Sequence, residues 1–130
     1  MKKLIAVVIG IMLFTSLAMA EYVPLKVSLN SLERMVLVSL LPKEANFANW
    51  KIINDLRIEL SPTEEELAIL DMKAAPEGGI NANWGAVPVK EITFGEAAEK
   101  IIADALKDLD SQEKLAPEHV SLYKIFVTHE

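Results

Sequence analysis

Two histidines, His119 and His129, are the only imidazoles in the 130-residue chain, and there is no cysteine at all. A zinc site draws on histidine, cysteine and carboxylate at short fixed spacings, such as His-Glu-x-x-His, and nothing here supplies that set. His119 reads as a residue of a solvated helix face near the start of the last helix, and His129 falls in the C-terminal tail. Nucleophilic chemistry fares no better. A cysteine nucleophile is impossible, and Ser28, Ser31, Ser39, Ser61, Ser111 and Ser121 all lack the Gly-x-Ser-x-Gly elbow that exposes a reactive hydroxyl.

Carboxylates are plentiful, so a pair of acids arranged for glycoside cleavage is compatible with the composition. The densest run, Glu64 to Glu66, already has a simpler role, because acidic side chains at a helix start satisfy free N–H groups and the helix dipole. Asp104, Asp108 and Asp110 lie on or at the end of a helix and lack the loop spacing and glycine of a calcium-binding hand. Gly78 and Gly79 are followed by neither Lys-Ser/Thr nor a G-x-G-x-x-G continuation, so they read as turn glycines and not as a phosphate cradle. The sequence therefore implies no metal, no cofactor and no catalytic group.

What remains is surface for binding. Trp50 and Trp84 are the largest apolar side chains, and tryptophan is enriched where partners dock. Trp50 shares an apolar helical stripe with Phe47, where core packing is the first reading. Trp84 lies in a Gly/Asn-rich segment and is the freer of the two. Phe47, Trp50 and Trp84 are the candidate contacts.

The elements that must position them are legible from periodicity and caps. Residues 1–20 form the three-part pattern of an export signal: Lys2 and Lys3, an uncharged run from Leu4 to Phe14, and Ala18-Met19-Ala20 ahead of cleavage. A retained anchor is the alternative, since Leu4 to Ala20 is at the lower edge of bilayer length. With cleavage, residues 21–130 form one acidic domain that starts at Glu21, is periplasmic or secreted, and has no stable membrane span. The whole chain carries 13 basic and 19 acidic residues, a net charge of −6 that grows more negative once Lys2 and Lys3 leave. Such a balance opposes nucleic-acid backbones. Without disulfides, packing alone must hold the domain.

Asn30 with Glu33 forms a capping box for a first helix over 31–41, ended by Pro42. Leu32, Met35, Val36 and Leu40 share one of its faces. Phe47, Trp50, Ile53, Leu56 and Leu60 then mark an amphipathic second helix. Ser61-Pro62-Thr63-Glu64 predicts a third over 62–70, with serine as N-cap and proline at the first position. From Asp71 to Phe94 the breakers Pro76, Gly78, Gly79, Gly85 and Pro88 interrupt an alternation at Ile80, Ala82 and Trp84, which predicts a β-hairpin, with a strand break near Lys90. Thr93 with Glu96 predicts the cap of the longest helix, 96–110, carrying a Glu96–Lys100 pair. A last helix starts at Pro117, with Val120, Tyr123, Phe126 and Val127 facing inward. The expected class is α+β: five helices in a single compact domain, with a small hairpin between the third and fourth.

The stretch Leu41-Pro42-Lys43-Glu44-Ala45-Asn46-Phe47, followed by Lys51-Ile52-Ile53-Asn54-Asp55-Leu56, resembles a family of short bacteriophage and prophage proteins. The likeness extends through Ser61 to Glu66, Gly95-Glu96-Ala97-Ala98 and Leu115 to Tyr123, and so covers most of residues 30–127. It implies provenance and one compact domain, and no activity, cofactor or site. Ala45 stands where that family tends to glycine, and the export signal is an addition to it.

Three functions of different classes fit these residues. The first is a non-catalytic binding module that meets an envelope or host protein. The second is a winged-helix-like nucleic-acid-binding regulator, suggested by three short helices followed by a hairpin and opposed by the charge. The third is a carboxylate-dependent envelope hydrolase. Self-assembly through the Trp84 hairpin is a further possibility.

Overall fold

The computed structural model describes residues 22–130, so the export signal expected at residues 1–20 lies outside the described residues. Tyr22 to Pro24 lead into β1 (Leu25–Leu29), followed by α1 (Ser31–Leu40), α2 (Phe47–Leu60) and α3 (Glu64–Leu70). A hairpin of β2 (Lys73–Ala74) and β3 (Ile80–Asn81) comes next, then a single 3-10 turn at Trp84–Ala86 and β4 (Lys90–Phe94). The chain closes with α4 (Glu96–Ser111), α5 (Pro117–Tyr123) and a wide π turn at Lys124–Thr128. This is an α+β fold of five helices with its hairpin between α3 and α4.

β1 was not expected, yet its sequence alternates as a half-buried strand should. Val27 and Leu29 face the core while Lys26 and Ser28 face out. It pairs antiparallel with β4, setting Leu25 opposite Phe94 and Val27 opposite Ile92. The predicted break near Lys90 is where β4 begins, which is why Ile92 and Phe94 are out of phase with Val87 and Val89. The expected small hairpin is present with two residues per strand, and Trp84 belongs to the 3-10 turn instead of a strand. Gly78 and Gly79 are turn glycines as expected, with φ of 95° and 83°, values a side chain would strain.

The core forms where the β1–β4 ribbon meets the helices. Val27, Leu29, Ile92 and Phe94 pack with Leu37 of α1, with Ile53, Leu56 and Leu60 of α2, and with Ala98, Ile102 and Leu106 of α4. Leu122 and Phe126 close it from the C-terminal side, and the Phe126 ring meets Phe94 edge to face at 5.0 Å between centroids. Val120, expected inside, is exposed, and Leu122 takes the inward position, because α5 is rotated from the phase that Val120 and Tyr123 suggested.

Several caps differ from expectation. Asn30 and Glu33 do form the capping box of α1. Ser61, expected to open α3, closes α2 by donating its hydroxyl to the Arg57 carbonyl, and Thr63 is the N-cap, in a capping box with Glu66. Thr93 lies in β4 and Gly95 caps α4 with no side chain. Lys100 pairs forward with Asp104 at 2.7 Å and not with Glu96. His119 is no idle surface residue: its Nδ1 accepts the Ala116 N–H at 2.9 Å and finishes the start of α5.

Candidate functional site

α2 begins at Asn46, whose side-chain oxygen accepts the Asn49 N–H at 2.9 Å, and runs 14 residues to Leu60. Its inner stripe is Ile53, Leu56 and Leu60, all buried. Phe47 and Trp50 match the three- and four-residue spacing of that stripe but do not join it. Phe47 is 78% exposed and Trp50 39% exposed. At about 100° per residue they have rotated away from Leu56 and Leu60, towards a face shared with Lys51, Asn54 and Ile58. Ile58, a further apolar residue on that face, is 70% exposed and had no sequence reading of its own.

This outer face combines apolar and basic groups. The Lys51 ammonium stands 5.8 Å from the centre of the Phe47 ring, and the Arg57 guanidinium 5.9 Å from that of Trp50. At exposed positions each such cation–π contact is worth about 0.5–1 kcal/mol. Asp55 lies exposed on the flank beside Lys51, without a salt bridge to it, and among the described residues neither has an ion-pair partner.

Open grooves border the helix on both sides. One, of about 600 Å³, lies between α2, the end of α1 and α4, with Asn49, Ile53, Asp104 and Asp108 in its lining. The other, of about 340 Å³, lies between α2 and the start of α4, with Ile52, Asp55, Glu59 and Glu96. α2 therefore stands as a ridge, with Phe47 and Ile58 towards the two ends of its crest.

Trp84 is not brought together with this face. Its segment packs against α1 and α3. Its main-chain carbonyl accepts the Ser31 hydroxyl at 2.9 Å, and its side chain is half-buried. Trp84 thus belongs to the joint between those helices, and Phe47 and Trp50 remain as the paired candidates.

At that joint lies Arg34, a residue with no local sequence signal of its role. The sequence pattern sets Leu32, Met35, Val36 and Leu40 on one face of α1 and gives Arg34 no role. The fully buried positions of α1 are instead Ser31, Arg34 and Leu37, and Leu32 is exposed. Arg34, 1% exposed, donates to both Glu66 oxygens at 2.7 and 3.0 Å, and to the carbonyls of Leu60 and Ser61 at 3.1 Å each. The Arg34 bonds, helped by the Thr63 N–H, hold the Glu66 carboxyl down at about 2. Glu66 is thus more than a helix-start acid. It clamps α3 to α1 while capping its own helix.

A second set of polar contacts gathers along α4. The Tyr22 hydroxyl donates to Glu99 on α4, which pushes the phenol up to about 12. The His129 ring lies 3.9 Å from the other Glu99 oxygen. Tyr123 donates to Asp110, and its phenol is raised by that bond.

Among the described residues no group of three or more histidines and carboxylates is placed to hold a metal ion, and no helix is long and apolar enough to cross a membrane. No protein family matches the chain, and neither a curated protein nor a solved structure shows significant similarity to it.

Proposed function

We propose that the protein is a small exported binding module of phage or prophage origin, which acts in the cell envelope by engaging a protein partner through the outer face of α2 and performs no chemistry of its own. The observation that carries this reading is the position of Phe47 and Ile58. Two large apolar side chains, 78% and 70% exposed, stand on one helix outside its buried stripe. Burying one such side chain is worth about 1.5–3 kcal/mol, and a partner that covers both recovers that energy. Trp50 and Arg57 beside them are the residue types that anchor protein interfaces.

The hydrolase alternative has less support. A general acid needs a carboxyl raised towards neutrality, and Glu66, held by Arg34, is displaced downwards. The nucleic-acid alternative has a hairpin of two residues per strand as its wing and a net charge of −6 against it.

Affinity capture from envelope extract tests the proposal. The wild-type chain is expected to retain a partner that Phe47→Asp and Trp50→Ala lose, while Trp84→Ala keeps it. Retention that ignores Phe47 and Trp50 would contradict it. Cell fractionation with intact-mass measurement tests export, with a periplasmic species that begins at Glu21 as the expected product.

A further inference from the structure

The outer face of α2 reads the same from both ends. About the level of Ile53, Phe47 lies six positions before and Ile58 five after. Trp50 lies three before and Arg57 four after, while Lys51 and Asp55 lie two before and two after. At about 100° per residue the matched residues lie within about 20–40° of each other around the helix: Phe47 and Ile58 along the crest, Lys51 and Asp55 towards one flank, Trp50 and Arg57 on the other. A two-fold axis that exchanges two antiparallel helices reverses position along the helix and keeps each flank on its own side. The residues that match in height and flank are therefore the ones that would meet.

We propose that the occupant of this face is a second copy of the chain, docked α2 against antiparallel α2. In that arrangement Phe47 packs on the partner's Ile58, and Trp50 stacks on the partner's Arg57. Lys51 pairs with the partner's Asp55, and the symmetry makes every contact twice. Charge complementarity supports a second copy over a generic acidic partner, because Lys51 and Asp55 lack ion-pair partners among the described residues, and two-fold docking satisfies both. The exposure of Phe47 and Ile58 leaves the crest open to a neighbour, and the grooves on either side of α2 leave room for flanking side chains. A ridge of 14 residues, about 21 Å long, makes a small interface, so the dimer belongs to the class that dissociates on dilution.

This inference rests on the reading of the α2 face as the binding surface and names its partner. Sedimentation velocity of the full chain over a dilution series tests it, with far-UV circular dichroism as the check on folding, since all substituted positions are exposed. The wild-type chain is expected to pass from monomer to dimer as concentration rises, and Phe47→Asp to stay monomeric throughout that range. Lys51→Asp places like charges opposite each other twice, as does Asp55→Lys, and each is expected to weaken self-association at least tenfold. An equimolar mixture of the two variants restores both pairs and is expected to dimerise where neither does alone. A monomeric wild-type chain at every concentration overturns the proposal, as does a mixture that associates no better than its components. Either result would leave capture of another envelope protein through Phe47 and Trp50 standing on its own test.

Discussion

The joint between α1 and α3 and the outer face of α2 lie one element apart and treat polarity in opposite ways. At the joint a guanidinium is 1% exposed, and its Nε, Nη1 and Nη2 all donate to a carboxylate or a main-chain carbonyl. On α2 two large apolar side chains face outward beside charges that lack salt bridges among the described residues. A buried polar group without partners is costly, so the joint is tolerable only because it is fully satisfied. The α2 face has no such internal completion. The comparison separates a polar cluster that holds the fold from an apolar cluster available to a partner, although residue type alone suggests the reverse.

The largest effect that sharpens this contrast comes from the joint. Arg34→Ala strands the Glu66 carboxylate and the carbonyls of Leu60 and Ser61, and is expected to cost about 3–5 kcal/mol in urea denaturation. A loss below about 1 kcal/mol would place Arg34 among the weak surface pairs and remove the contrast.

Acid acts on the same joint. The Glu66 carboxyl is held at about 2 in the fold against an ordinary value of 4.5, so its stabilising contribution is complete above pH 4.5 and is lost as pH falls towards 2. Denaturation midpoints are expected to fall across that window. Glu66→Gln, less stable at neutral pH, is expected to show a shallower fall.

Thr63→Ala removes the hydroxyl that accepts the Glu66 N–H and is expected to cost about 1 kcal/mol. The smallest effect belongs to the other region. Phe47→Ala and Ile58→Ala are expected to shift stability by no more than about 0.5 kcal/mol while abolishing association. A large stability loss at Phe47 would mean that the face serves the fold after all.

The long helices were legible because their apolar stripes are local. Ile53, Leu56 and Leu60 in α2, and Ala98, Ile102 and Leu106 in α4, repeat within a few turns and need no distant partner to be recognised. β1 was missed although Leu25, Val27 and Leu29 alternate cleanly, because a five-residue strand is convincing only with its partner. That partner, β4, lies some 65 positions along the chain. Arg34 was missed for the same reason: its burial depends on Glu66, 32 residues away, and no local pattern announces such a pair. At the candidate site, residue type singles out Phe47 and Trp50, but the stripe that includes them also fits a core helix. Only the rotation of α2 towards Leu56 and Leu60 decides which end of the pattern is inside.

Photo-crosslinking in living cells reports which face of the protein meets a partner, with a benzophenone-bearing residue at position 47 on α2 compared with one at the exposed position 107 on α4. A discrete crosslinked species is expected from position 47 and none from position 107. Crosslinks from position 107 alone, or equal yields from both, would contradict the assignment of the α2 face as the surface through which this protein acts.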